Sequence, residues 1–113
     1  MTDSYSFGLI GEQMACDYMA SCGMTVLEKR FRAKDGEIDI IARDGDVLCF
    51  VEVKYRPRAR LSEGLPSVND DKRRRLRHAG LFYVHKTGWR QPFRFDIIEI
   101  TRAGVRYLKG NCS

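Results

Sequence analysis

The chain reads as an α/β fold: one domain spanning residues 1–113, with a mixed central sheet flanked by helices. Three observations predict it. The 113 residues, 43% of them hydrophobic, suffice for one core and are too few for two. Two neighbouring strand-like segments are joined by a tight turn sequence, Asp44-Gly45-Asp46. Helical periodicity precedes the first strand and separates the third from the fourth, an order that lets strands and helices share one core.

Asp3 or Ser4 caps a first helix in which Phe7, Ile10, Met14 and Tyr18 fall near helical spacing, and Gly23 stands where its C-terminal cap is expected. Residues 25–31 read as a strand with a charged middle, and Asp35-Gly36 as a turn. Residues 37–43 and 47–55 form the hairpin around Asp44-Gly45-Asp46. A polar stretch from Pro57 to Pro66 is long enough for a mobile loop. A second helix runs from Ser67 or Asn69 to His85, with Leu76, Ala79, Gly80 and Tyr83 on its buried side. Residues 93–100 form a strand, Arg102-Ala103-Gly104 a turn, and residues 105–108 a closing strand.

Charge is unevenly distributed along the chain. Residues 1–53 carry 5 basic and 10 acidic side chains, residues 54–77 carry 9 basic and 3 acidic, and the whole has a formal net charge of +5. An acidic part beside a strongly basic one points to a polyanionic partner on the basic surface, with cations balancing the carboxylates. Cys16, Cys22, Cys49 and Cys112 form no C-x-x-C pair and have no histidines at zinc-site spacing, so free, buried thiols are expected rather than a structural zinc. No apolar run approaches the length of a membrane span and no signal-peptide pattern opens the chain, which predicts a cytoplasmic protein that avoids the membrane.

The hairpin carries the candidate chemistry. In Glu37-Ile38-Asp39-Ile40-Ile41, alternation predicts that Glu37 and Asp39 share one face and Ile38 and Ile40 the other. In Phe50-Val51-Glu52-Val53-Lys54, Glu52 and Lys54 share a face in the same way. One register sets residue 39 opposite 50, and a two-residue slip sets Asp39 opposite Glu52; either keeps the four charges together. Opposed carboxylates on adjacent strands repel, so the arrangement asks for a compensating cation. Two carboxylate oxygens, the carbonyl of Val53, waters and a phosphate oxygen make the oxygen shell that Mg²⁺ prefers, and Lys54 stands ready to position or deprotonate an attacking water. Alternation alone slightly favours the plainer reading, a wet hairpin face carrying cross-strand ion pairs.

The motif Gly36-Glu37-Ile38-Asp39-Ile40-Ile41, followed by Phe50-Val51-Glu52-Val53-Lys54-Tyr55-Arg56, resembles the YraN family of bacterial proteins. Gly8-x-x-Gly11-Glu12, Lys72 and Arg94-Phe95-Asp96 extend the resemblance across nearly the whole chain. It implies a restriction-endonuclease-like fold related to archaeal Holliday-junction resolvases, with Asp39 and Glu52 as ligands of Mg²⁺ or Mn²⁺, Lys54 as the catalytic lysine, and Glu12 as a further acid reaching the site from the first helix. The sequence departs from the family at Tyr55, where a small hydroxyl residue is expected, in residues 58–67, and at the C-terminus, which lacks an apolar tail.

Lys72, Arg73, Arg74, Arg75 and Arg77 wrap the second helix, and Arg56, Arg58 and Arg60 follow the Glu-x-Lys strand directly. From these, Arg56, Arg58, Lys72, Arg73, Arg75 and Arg77 are the expected phosphate contacts, sequence-blind and salt-sensitive. His78 and His85 lie seven apart, too far for a one-turn metal pair, and read as structural or surface residues. Trp89 more often covers a core edge than stacks on a base. The function expected is therefore a metal-dependent endonuclease acting on structured or damaged DNA, working as a homodimer because a branched substrate presents two strands. The rivals are a nucleic-acid-binding module without turnover and an interaction protein that docks its basic helix on an acidic partner.

Overall fold

The computed structural model describes residues 4–58 and 70–110, with side chains from residue 8 onward in the first of these segments. The elements follow in the order α1 (Ser4–Ser21), β1 (Thr25–Ala33), β2 (Gly36–Asp44), β3 (Val47–Arg56), α2 (Asp70–Thr87), β4 (Phe93–Thr101) and β5 (Gly104–Leu108). Every expected element is present, with ends moved by a residue or two. The loop expected at residues 57–66 lies almost entirely outside the described residues, as do the caps at Asp3, Ser67 and Asn69 and residues 111–113.

The five strands form one mixed sheet in sequence order. β1, β2 and β3 are antiparallel neighbours, β4 lies parallel to β3 after the α2 crossover, and β5 folds back antiparallel on β4. Each face carries its own core. On one, Ala15, Cys16 and Met19 of α1 pack against Ile40, Ala42, Cys49, Val51, Ile98 and Ile100. On the other, Leu76 and Ala79 of α2 cover Phe31, Ile38, Ile41, Phe50, Phe95 and Ile97. Phe50 is fully buried, with its ring between those of Tyr83, Phe93 and Phe95 at 5.2–5.9 Å, an aromatic cluster that fixes the side of the sheet on which α2 sits. Trp89 closes the edge of this core and donates its indole N–H to the carbonyl of Pro92 at 3.1 Å.

α1 seats differently from its apolar spacing. Ile10 and Met14 are 46% and 41% exposed, and the buried stripe is Gly11, Ala15 and Met19. The reason is close approach: a Cβ at Gly11 would come within 2.5 Å of the Tyr55 Cβ, so only glycine lets the helix lie this near β3.

The alternation expected in β2 also breaks, at one place. Ile38 packs on the α2 side and Ile40 on the α1 side, so they do not share a face. The break lies opposite Arg30, between the pairs Lys29↔Ile40 and Phe31↔Ile38. Arg30 has φ 53°, the left-handed region that costs an ordinary residue about 1–2 kcal/mol. The local reversal turns Phe31 toward α2 and sends the Arg30 side chain toward α1, where its Nε donates to Glu12 at 3.1 Å.

Of the cysteines, Cys16 and Cys49 are buried free thiols, whereas Cys22 is free but exposed. No helix among the described residues is long and apolar enough to cross a membrane.

Candidate catalytic site

β2 and β3 stay paired from Asp44↔Val47 to Ile40↔Val51. Continued one step, that register sets Asp39 opposite Glu52, the second of the two registers open to the sequence. The ladder stops there instead. Asp39 turns its carboxylate into the gap and its Oδ2 accepts the backbone N–H of Val53 at 2.8 Å. The side chain thereby takes the place of a strand carbonyl, which keeps a half-buried amide from losing its partner.

Glu52 is buried and lies beside Asp39. Burial, and then repulsion from Glu52, push the Asp39 carboxyl from its ordinary 3.8 up to about 7. The pair thus resists carrying two negative charges, as two carboxylates sharing one site do. Two ammonium groups converge on the same Glu52 Oε1: Lys72 Nζ at 2.7 Å and Lys54 Nζ at 3.7 Å. Lys54 is held below its ordinary pKa by burial first and by Lys72 second. For Lys72 burial works in the same direction, but its hydrogen bond and attraction to Glu52 outweigh it, and its pKa is raised.

Asp39, Glu52, Val53 and Lys72 line a pocket of about 190 Å³ together with Glu37, Arg75 and Leu76. On the α1 side, a cleft of about 560 Å³ is lined by Glu12, Arg30, Asp39, Val53 and Tyr55 among others. Asp39 is therefore a wall of both spaces. Glu12 shares the larger cleft with Asp39, where it is buried and paired to Arg30, and it does not line the pocket that holds Glu52. Glu37 is exposed and pairs loosely with Arg32 at 3.7 Å.

The oxygen donors at the splayed strand ends suit a hard divalent cation. A lysine ammonium already sits against Glu52, and Asp39 gains its charge only at a cost, which is the electrostatic mark of a place that draws in positive charge. Among the described residues no three histidine, cysteine or acidic side chains gather at metal-binding distance. If a cation binds here, Asp39 and Glu52 are the side chains that would hold it, and backbone, water and substrate oxygens would have to complete a shell of the kind Mg²⁺ adopts.

The basic residues separate into several positions. Lys72 and Arg75 both line the pocket. Arg56 leans on the buried Glu99 at 3.9 Å, Arg73 is half-buried, and Arg58 and Arg77 are exposed. Two further cations were not singled out by sequence reasoning, Arg32 and Lys34 of the β1–β2 turn region, which line one cleft with His78, Arg75 and Arg74 of the basic helix α2. Segments so far apart in sequence gave no signal of this.

The family model described as "Uncharacterised protein family UPF0102" matches residues 11–100. A UPF0102 protein of Clostridium kluyveri is 45% identical over 94 residues, covering 82% of this chain and 77% of that one. One from Chromohalobacter salexigens is 41% identical over 99 residues, covering 88% and 80%. A third, from Thermodesulfovibrio yellowstonii, is 37% identical over 102 residues, covering 90% and 91%.

Proposed function

We propose that this chain, which belongs to the UPF0102 family, is a metal-dependent nuclease that hydrolyses phosphodiester bonds in structured or damaged DNA with Mg²⁺ or Mn²⁺. A restriction-endonuclease-like fold and kinship with Holliday-junction resolvases are part of that reading. The observation that carries it is the pocket where β2 and β3 part: a carboxyl pair, Asp39 and Glu52, opposed at a break in the ladder, with the Lys54 and Lys72 ammonium groups drawn to Glu52.

The chemistry a divalent cation would supply there is activation of a water and neutralisation of charge on the reacting phosphate. Asp39 and Glu52 would hold it, and the Val53 N–H keeps the Asp39 carboxylate aimed by fixing Oδ2. Lys54, half-buried and with its pKa lowered, orients the water and takes up or returns a proton at Nζ. Lys72 lies at the rim, 42% exposed, and exchanges Glu52 for a phosphate oxygen as the strand enters. Glu12 holds Arg30 across the neighbouring cleft and so supports the wall from which Asp39 projects.

A second reading, a DNA-binding module without turnover, is favoured by one contact: the chain itself supplies a cation to Glu52 through Lys72. Cleavage of labelled single-stranded, duplex, flapped and four-way-junction DNA with Mn²⁺, Mg²⁺ or EDTA separates the two. Metal-dependent cutting by the wild type, lost in Asp39→Ala and Lys54→Ala, is the expected result. Folded wild type that binds these DNAs and cuts none of them in any metal refutes the nuclease and leaves the binding module.

A further inference from the structure

Resting on nucleic acid as the partner, we infer that the cleft between the β1–β2 turn and α2 is a phosphate-binding groove for the strand whose scissile phosphodiester reaches Asp39 and Glu52. The substrate is then a polynucleotide held at several phosphates, and not an isolated phosphodiester.

The groove has a volume of about 610 Å³ and is walled by Arg32 and Lys34 from the hairpin and by Arg74, Arg75 and His78 from α2. It is built rather than accidental. A Cβ at Gly36 would overlap the backbone carbonyl of Arg75, so the turn lies directly on the helix only because that position is glycine. The contact brings the basic side chains of two segments into one concavity. Four permanent cations face two carboxylates, Asp35 and Glu37, and Ala33 is the single apolar side chain in the lining, a composition suited to an anion and not to an apolar ligand.

The groove also adjoins the pocket. Glu37 and Arg75 line both, so the two spaces share a wall. In the free chain the cations are presented by weak surface pairs: Arg32 with Glu37 at 3.7 Å, and Arg74 and Arg75 with Asp71 at the opening of α2. Exposed pairs of this kind contribute little to stability, so phosphate oxygens replace them readily while the side chains stay aimed at the groove. Guanidinium groups bind phosphate with paired N–H donors. An acidic protein would match the groove but would meet the Asp39–Glu52 pair beyond it without a scissile group to present. A chain of regularly repeated phosphates fits both spaces in succession.

Binding measured in EDTA tests the groove apart from catalysis. The variant R32A/K34A/R74A removes three exposed cations from it, and R43A/R90A/R102A removes three exposed cations outside it. With fluorescent duplex and single-stranded 30-mers across a KCl series, the groove variant is expected to bind about tenfold more weakly, with a salt slope shallower by roughly 2 to 3. The control variant should stay within about twofold of wild type. Equal losses in both variants, or unchanged binding in the groove variant, overturn the inference. So does displacement of DNA by poly-glutamate at the same charge concentration as by unlabelled DNA. Groove-dependent binding by a wild type that never cleaves overturns the hydrolytic reading and supports the groove.

Discussion

Asp39→Asn is expected to stabilise the metal-free protein at alkaline pH while removing its response to metal. Asparagine keeps the oxygen that accepts the Val53 N–H, and its amide can donate to Glu52, so the swap removes charge with little change in shape. In the wild type the folded Asp39 carboxyl titrates at about 7 instead of 3.8. An acid raised in this way binds more protons folded than unfolded between those values, so its contribution falls as pH rises from about 4 to about 7 and is level above. At about 1.4 kcal/mol per pH unit the gap corresponds to about 4 kcal/mol at full burial. Allowing for solvent at a half-buried carboxyl leaves about 2 kcal/mol. For a domain of this size that is a rise in Tm of about 10 °C at pH 8 in EDTA, shrinking toward zero near pH 4. Added Mn²⁺ should raise the wild-type Tm with the logarithm of its concentration and leave the variant unmoved. Thermal unfolding at four pH values, with EDTA or Mn²⁺, measures both effects. A variant that is less stable at pH 8, or a difference that does not vary with pH, refutes the reasoning that Glu52 and burial penalise the Asp39 charge.

Two further substitutions test how the site is positioned. Gly36→Ala should cost about 1–3 kcal/mol by forcing the hairpin off the Arg75 carbonyl, read by urea unfolding; a neutral result would mean that the turn does not rest on α2. Asp96→Asn removes a fully buried charge whose oxygens accept from Arg94, the Tyr107 hydroxyl and the Gly110 N–H. Breaking such a pair costs about 3–5 kcal/mol, so loss of stability is expected with DNA affinity in EDTA unchanged for the protein that remains folded. A selective loss of DNA binding without destabilisation would move Asp96 from the scaffold to the interface.

Much of this arrangement could be read from local sequence, and what could not was long-range. The hairpin was legible because Asp44-Gly45-Asp46 leaves the chain little else to do, and the aliphatic residues of β3 forbid a one-residue slip. Between the two registers left open, local sequence could not choose. The structure takes the second, closing the hairpin across Gly45-Asp46 with Asp44 paired to Val47. Equally hidden was Arg30, whose left-handed φ lies beside the break in alternation at Asp39. Nothing in a run such as Glu28-Lys29-Arg30-Phe31-Arg32 signals a non-glycine in that conformation. The helix α1 was legible and its seating was not: Ile10 and Met14 fall at helical spacing yet stay exposed, while the buried stripe, Gly11-Ala15-Met19, is made mostly of small residues at i, i+4 and i+8. That spacing was a usable signal of close helix packing. The groove residues were invisible for a simpler reason: residues 32–36 and 74–78 meet only after α2 has crossed over the sheet.

The break in the ladder explains why a sheet tolerates an aspartate in this position at all. In a continuous β2–β3 pair, Asp39 and Glu52 would face one another as like charges held at the closest cross-strand spacing. With the strands parted, Asp39 gains a backbone donor, Glu52 gains two ammonium groups, and the space between them opens into a pocket of about 190 Å³. The left-handed Arg30 lies opposite, tied to Glu12 on α1, and α1 comes within reach only because Gly11 lets it lie on Tyr55. The strain at Arg30 is thus offset by contacts outside the hairpin, as backbone strain near functional sites commonly is. Helix, reversed strand and parted ladder form one connected cause, and a stabilising change at any of them that restored regular pairing would close the space between the carboxylates.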